Sequence, residues 1–333
     1  MKSRIRRVLF VGCFMVSLFV FRDINFVYAK DADFPVKPIE VILTLGAGGS
    51  TDVTMRALCK SASAILGQQI VIINKPGANG AIALRMVKDS VPDGYTLGNQ
   101  FGGSLLMPFA DQPAYYSPKD FKWIMAYGKY VYVLLVQGDS QWKKWDDYIA
   151  WAKKNPRATK LGVTGAKSVD FKSFNMWQIG KRENVDITHI VYKSSADMLS
   201  ALLGGHINLY ASTIDASTMS YIKEGKLRIL AFIASQKIPG YENIPSLEDL
   251  YGVKYPNFLG LAGPIGIPEP VIRKLQDSFR EAMKDPEFIG VMNRMQMPIG
   301  YMDSATMTKA MEEGFVETKK IMEKIKAEEG KKD

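Results

Sequence analysis

Apolar and polar positions along the chain follow two alternating rhythms. Residues 39–45 form an apolar run broken only by Glu40 and Thr44, the pattern of a buried strand. Residues 51–66 then place Met55, Leu58, Ala62, Ile65 and Leu66 at helical spacing, with Gly67 as the stop. The run 70–73 reads as a second strand, 81–88 as a helix, and 96–99 as a third strand after the turn Pro92-Asp93-Gly94. Further strands are predicted at 131–136, 160–163, 187–192, 207–211 and 227–234, and helices at 145–154, 171–181 and 196–203. Pro239, Pro245 and Pro256 mark a linker-like region. Residues 259–263 read as a short strand, and from Pro268 onward the helical period dominates. The strand–loop–helix alternation runs twice, which predicts two α/β lobes, each with a mainly parallel sheet.

The strands empty into loops of small residues at the heads of helices. The first holds Ala47, Gly48, Gly49, Ser50, Thr51 and Asp52, and the second Asn74, Gly77, Ala78, Asn79 and Gly80. Ser104 follows two glycines in a third loop. Later come Thr164, Gly165, Lys167 and Ser168, then Tyr192, Ser194, Ser195 and Ala196, then Thr213 and Asp215. Free N–H groups at a helix N-terminus, with hydroxyls beside them, suit a small anion such as a carboxylate. In open α/β sheets ligands bind beyond the carboxyl ends of the strands, where all these loops lie. The competing reading of the first loop is structural, with glycines for a tight turn and Thr51 or Asp52 as a cap. Asp52 and Asp215 stay open between ligand contact and loop-organising cap. Lys167 is the single cation among these candidate residues.

Other chemistries lack their residues. The first loop has no lysine for a phosphate-binding loop and ends GxGxxT rather than GxGxxG, and the second strand ends in Asn74 and Lys75 rather than an acid. Two separate histidines and few cysteines give no metal-ligand cluster. No Gly-x-Ser-x-Gly elbow occurs. His189 sits in an apolar strand pattern and is expected at the core or sheet edge; His206, after two glycines, is expected to face solvent. Cys59 is expected to be a small buried side chain. Neither cofactor nor metal is expected.

The N-terminus changes the picture of charge and location. Lys2, Arg4, Arg6 and Arg7 precede fourteen apolar residues, 8–21, and Val27-Tyr28-Ala29 offers a small-residue cleavage site. This is the three-part form of a secretory signal peptide over residues 1–29, too short for a span of about 20 residues. Its loss takes the formal charge from +9 to +5, because it carries five basic residues against Asp23. That mild excess, with the basic residues of the C-terminal helix interleaved with glutamates, predicts no nucleic-acid partner. Cys59 is then the only cysteine, so no internal disulfide forms; some 300 residues can bury a core without one.

Several strings together carry a family resemblance over essentially the whole mature chain. They include Phe34-Pro35-Val36-Lys37-Pro38-Ile39, Gly48-Gly49-Ser50-Thr51-Asp52, Asn74-Lys75-Pro76-Gly77-Ala78-Asn79-Gly80, Pro92-Asp93-Gly94-Tyr95-Thr96-Leu97 and Gly263-Pro264-Ile265-Gly266-Ile267-Pro268. In these the chain resembles the Bug family, the TctC-like extracytoplasmic solute receptors of tripartite tricarboxylate transporters. The resemblance implies a two-lobed periplasmic-binding-protein fold of type II kind, with a ligand cleft between the lobes. Lobe 1 would comprise 30–130 and 251–333, lobe 2 131–250, with hinges near 130 and 250. It implies a small organic carboxylate as ligand, no enzymatic activity, a monomer in the periplasm, and the permease subunits of a membrane transporter as partner. Relatives commonly carry a glycine- and serine-rich loop ending in histidine where Lys167 and Asp170 stand here, and glycine where Ser194 stands. A ligand-sensing protein of the same fold, and a secreted α/β enzyme acting on an anion, are the other readings the residues leave open.

Overall fold

A computed structural model describes residues 34–77, 80–101, 117–164, 171–192, 195–252 and 257–329. Its strands sort into two sheets. The first contains β1 (Ile39–Leu43), β2 (Ile70–Asn74), β3 (Thr96–Phe101), β4 (Phe121–Gly128), β10 (Leu259–Pro264) and β11 (Ile299–Met302), in the order β11-β4-β10-β3-β1-β2. The second contains β5 (Tyr132–Gln137), β6 (Thr159–Thr164), β7 (Ile187–Tyr192), β8 (Leu209–Thr213) and β9 (Leu227–Phe232), in the order β7-β6-β8-β5-β9. Helices flank both. Around the first sheet are α1 (Ser50–Leu66), α2 (Ala81–Lys88), α8 (Glu269–Ala282), α9 (Pro286–Arg294) and α10 (Ser304–Glu329); around the second are α3 (Trp145–Lys154), α4 (Phe171–Glu183), α5 (Ser195–Leu203), α6 (Ala216–Lys223) and the short α7 (Leu247–Tyr251).

The two-lobed α/β architecture follows the alternation in the sequence, with one correction. The sheets are mixed, not mainly parallel. β1 runs parallel to β2 and β3, but β10 is antiparallel to β3 and β4, and β11 to β4. In the second sheet β6 is parallel to β7 and β8, whereas β5 is antiparallel to β8 and β9. The cause is the route of the chain. It leaves the first sheet after β4 and returns at β10, and the registers Leu259↔Phe101 and Leu259↔Gly128 put both passages at the edge where β3 ends. In the second sheet Tyr132↔Thr213 puts the entry of β5 at the edge where β8 ends. A strand that enters a sheet at the carboxyl edge of its parallel strands must run against them.

α1 forms as predicted, and Gly67 ends it in a left-handed conformation at φ 69°. Its buried stripe, including Met55, Leu58, Cys59 and Ala62, lies on α8, α9 and β2. Strand β4 escapes prediction because FKWIMAYG is buried at almost every position and shows no period of two. β11 likewise interrupts the helical C-terminal part.

Gly138, just after β5, donates its N–H to Lys226 O at 2.8 Å, and a methyl group there would lie 1.7 Å from Gly225 O. Backbone cannot yield as a side-chain tip can. Gly138→Ala is expected to cost about 3 kcal/mol or more, read as a fall in melting temperature; a melt unchanged within about 2 °C would contradict this packing.

Candidate functional site

The loop between β1 and α1 is built by one carboxylate. Gly49 is the N-cap of α1 and no side chain caps the helix. Residues 45–49 are exposed and Ser50 half-buried, so the head of a seventeen-residue helix opens to solvent. Behind it Asp52 is 3% exposed and accepts four donors: Gly48 N–H at 2.9 Å, Asn74 Nδ2 at 3.0 Å, Arg56 Nε at 3.0 Å and Arg56 Nη2 at 2.9 Å. Asn74 Nδ2 also reaches Leu45 O at 3.0 Å, and Asn74 Oδ1 accepts from Arg56 Nη2 at 3.0 Å. Asp52, Arg56 and Asn74 thus close a ring that fixes the first loop against the end of β2. Burial pushes the Asp52 carboxyl up, but the Arg56, Gly48 and Asn74 bonds outweigh it and hold it below the ordinary carboxylate value. Gly48 itself sits at φ 81°, a conformation open chiefly to glycine. Of the two roles open to Asp52, its bonds are those of a loop clamp.

Thr51 turns inward. Its hydroxyl bonds the Tyr130 hydroxyl, and both residues are buried. Burial pushes the Tyr130 hydroxyl up to about 12, so it stays protonated. Tyr130 lies where the chain passes from β4 to β5. Its N–H donates to Asn257 Oδ1 at 3.0 Å and its carbonyl accepts from Asn257 Nδ2. Asn257 lies just before β10, on the return passage, so one side chain joins both passages. The Tyr130 and Tyr132 rings are 5.7 Å apart, and the Lys172 ammonium lies 5.6 Å from the Tyr132 ring centroid.

Register gathers the predicted loops on two edges that meet at these passages. Leu43↔Asn74 and Leu43↔Asn99 align the ends of β1, β2 and β3. Thr164↔Tyr192 and Gly162↔Tyr210 align β6, β7 and β8. Thr213 is partly buried opposite Tyr132; Tyr192 ends β7; Ser195 and Ala196, both exposed, open α5. Asp215 is the N-cap of α6, accepting from Thr218 N–H at 2.8 Å, Thr218 Oγ1 at 2.7 Å and Ser217 Oγ at 2.8 Å. Burial raises its carboxyl and these bonds more than reverse that. Gly77 is exposed and Gly80 buried ahead of α2. Ala78, Asn79, Ser104, Gly165, Lys167, Ser168 and Ser194 lie outside the described residues.

His189 is on the edge strand β7, with Nε2 3.2 Å from Ser173 O, and His206 is exposed in a turn. Cys59 is a buried free thiol, pushed up by burial. Among the described residues no cluster of three or more metal-ligating side chains occurs.

Sequence reasoning did not find Arg56, Asn99, Tyr130, Asn175 or Asn257. Arg56 could have been found, four residues after Asp52 on a helix. The others rest on contacts across the fold. Asn99 donates to Tyr127 OH at 3.1 Å while its Oδ1 is buried without a partner. Thr44 Oγ1, one residue past β1, and both amide atoms of Asn175 in α4 are also buried and unpartnered. Buried polar atoms are nearly always hydrogen-bonded, so each of these orphans, like Trp142 Nε1 between β5 and α3, is a place for a water molecule or another polar partner.

Comparison with known proteins agrees with this fold. A sequence model described as the tripartite tricarboxylate transporter family receptor, TctC, matches residues 54–327. The UPF0065 protein of the gbd 5' region of Cupriavidus necator is 32% identical over 298 residues, covering 89% of this chain and 90% of that one. A TctC solute-binding protein from Polaromonas, solved without ligand, superposes with TM-score 0.75 at 25% identity over 87% of this chain and 99% of its own. The MatC protein of Rhodopseudomonas palustris, solved with bound malate, superposes with TM-score 0.69 at 22% identity over 87% of this chain and 100% of its own.

Proposed function

The chain belongs to the tripartite tricarboxylate transporter receptor family, and from that premise we propose that it captures a small organic carboxylate between its two sheets and presents it to the permease subunits of a membrane transporter. The observation that carries the carboxylate is the uncapped, exposed head of α1, fixed by the Asp52–Arg56–Asn74 ring. Backbone N–H groups and the helix dipole favour a carboxylate there, and a fixed loop binds with less ordering cost. Malate in the MatC protein supports the same ligand class.

Receptors of this family are periplasmic, and residues 1–29 would be the signal peptide that takes this chain there. Among the described residues no helix is long and apolar enough to cross a membrane. The lobes would be 30–130 with 251–333, and 131–250, a division supported by the membership of the two sheets. The protein would act as a monomer and without chemistry: both Asp52 oxygens are engaged in loop bonds and Asp215 Oδ1 in cap bonds.

A thermal-shift screen of the refolded mature protein tests this reading, with mono-, di- and tricarboxylates, acidic amino acids, aromatic acids, phosphate and nucleotides. A carboxylate at a hundred times its Kd adds about 2.7 kcal/mol, a rise of about 5 °C. A shift by one carboxylate class is expected. Shifts by nucleotides or phosphate esters alone, or by none of the panel, would overturn it.

A further inference from the structure

The edge of the first sheet away from the ligand loops carries apolar side chains that the core does not use. β1, β3 and β4 start there, at Ile39, Thr96 and Phe121, and β10 ends there at Pro264. Three turns adjoin at this edge: 34–37, 91–95 and 264–267. The Phe34 and Tyr95 rings are 4.9 Å apart, and Val36 N–H donates to Tyr95 OH at 2.8 Å. A methyl group on Gly266 would lie 3.6 Å from Pro92 Cβ, and Ile265 N–H donates to Asp120 O at 3.1 Å. Phe34 packs on the core and Ile267 belongs to it. Val36, Val91 and Ile265 do neither: they are 66%, 67% and 60% exposed, more than any other large apolar side chain among the described residues. Exposed apolar residues scattered singly are ordinary, but a group of them marks an interaction surface. Three of the strings that carry the family resemblance supply these turns. They stand the length of β1, about 13 Å, from the ligand loops.

The surroundings select the occupant. The charges round the edge are already paired, Lys37 with Asp93 at 3.7 Å, Lys88 with Asp120 at 3.4 Å and Lys122 with Glu269 at 3.1 Å. An anionic lipid surface calls for unpaired basic residues instead. The chain's own remainder gives no apolar cover: behind a leader ending at Ala29, only Lys30, Asp31, Ala32 and Asp33 precede Phe34. A stable dimer takes about 20–30 residues a side, and the three turns hold thirteen. A small apolar centre inside a neutral polar rim suits a brief protein contact. We propose that this edge is where the permease subunits dock, through an apolar segment on their periplasmic face. The inference rests on the transport reading above and names the surface that serves it. The edge belongs wholly to the first sheet, so docking there leaves the second sheet free to move.

The test combines Val36→Asp, Val91→Asp and Ile265→Asp in one protein. Val316→Asp, at a 53% exposed apolar residue of α10, is the control. Cells lacking the native gene receive each protein and are assayed for uptake of radiolabelled succinate, malate and citrate. The purified proteins are titrated calorimetrically with the same acids. The triple variant is expected to bind within twofold of wild type and to melt within about 2 °C of it, while uptake falls at least fivefold; Val316→Asp is expected to match wild type throughout. A smaller fall in uptake, or an equal fall in Val316→Asp, overturns the docking edge and leaves the transport reading standing. So does a triple variant that loses binding or stability along with uptake, since the edge then serves the fold. Two further results overturn it by assigning another occupant. One is a wild-type dimer in sedimentation that the triple variant dissociates; the other is capture by phosphatidylglycerol vesicles that the triple variant loses. Failure of the wild-type protein to restore uptake of any of these acids overturns the transport reading and the docking edge with it.

Discussion

Asp52→Ala is expected to weaken carboxylate binding about a hundredfold and to lower stability by about 2–4 kcal/mol. The carboxylate takes bonds from Gly48 N–H, Asn74 Nδ2 and both donating nitrogens of Arg56. Alanine would leave a cluster of donors facing one another, with the Arg56 guanidinium uncompensated. The lower end of the range is expected because the Arg56 side chain is 49% exposed and water can take up part of its charge. Affinity falls because the first loop, no longer tied to Asn74, must be ordered by the ligand itself.

The same carboxylate predicts a pH dependence. Its pKa is depressed in the folded protein, so its stabilisation is complete above the unfolded value of about 3.9 and is lost as pH falls through the folded value. The stability gap between wild type and Asp52→Asn should therefore narrow below about pH 4. Melting curves from pH 7 down to about pH 3 decide it: a gap that stays constant means the carboxylate charge is not what holds the loop.

Asn257→Ala is expected to be the most damaging single change at the passages between the sheets. Asn257 is 8% exposed and satisfies both the N–H and the carbonyl of Tyr130. Truncation leaves two buried main-chain groups without partners, a cost of about 2–4 kcal/mol. Because Tyr130 also meets Thr51 through its hydroxyl, the loss reaches the head of α1. Binding should weaken although Asn257 lies outside the predicted ligand loops. Tyr130→Phe, which removes the Thr51 bond, should cost about 1 kcal/mol. Chemical denaturation with calorimetric titration of a carboxylate measures both effects. An Asn257→Ala protein as stable and as tight-binding as wild type would show that the two main-chain bonds contribute nothing.

What the sequence disclosed and what it withheld divide along physical lines. Periodicity located α1 and its Gly67 stop, because an amphipathic stripe and a left-handed cap are local properties. It did not locate β4, whose residues are buried on both faces and so carry no alternation. Nor could it foresee antiparallel β5 and β10, since strand direction depends on where the chain enters each sheet. The small-residue loops were legible as loops ahead of helices, because glycines and hydroxyls suit turns, caps and anion contacts alike. The division of labour within them was not. Asp52 was visible, but its partner Asn74 lies 22 residues on. Tyr130 and Asn257 are separated by 127 residues, and nothing in either neighbourhood announces the bond. Asn175 gave no signal, since a lone asparagine in a helix pattern looks like a surface residue until its burial is known.

The Asn257 bonds have a mechanical consequence. Two separate chain passages between rigid bodies would act as independent tethers and permit twisting, sliding and bending alike. Fastened side by side through the main chain of Tyr130, they would act as one flat flexure, compliant across its width and stiff against torsion. We propose that relative motion of the two lobes would then be reduced toward a single rotation, the one that brings the head of α1 toward the ends of β6 to β8. Changes in the loops could alter what is held without altering how the protein moves.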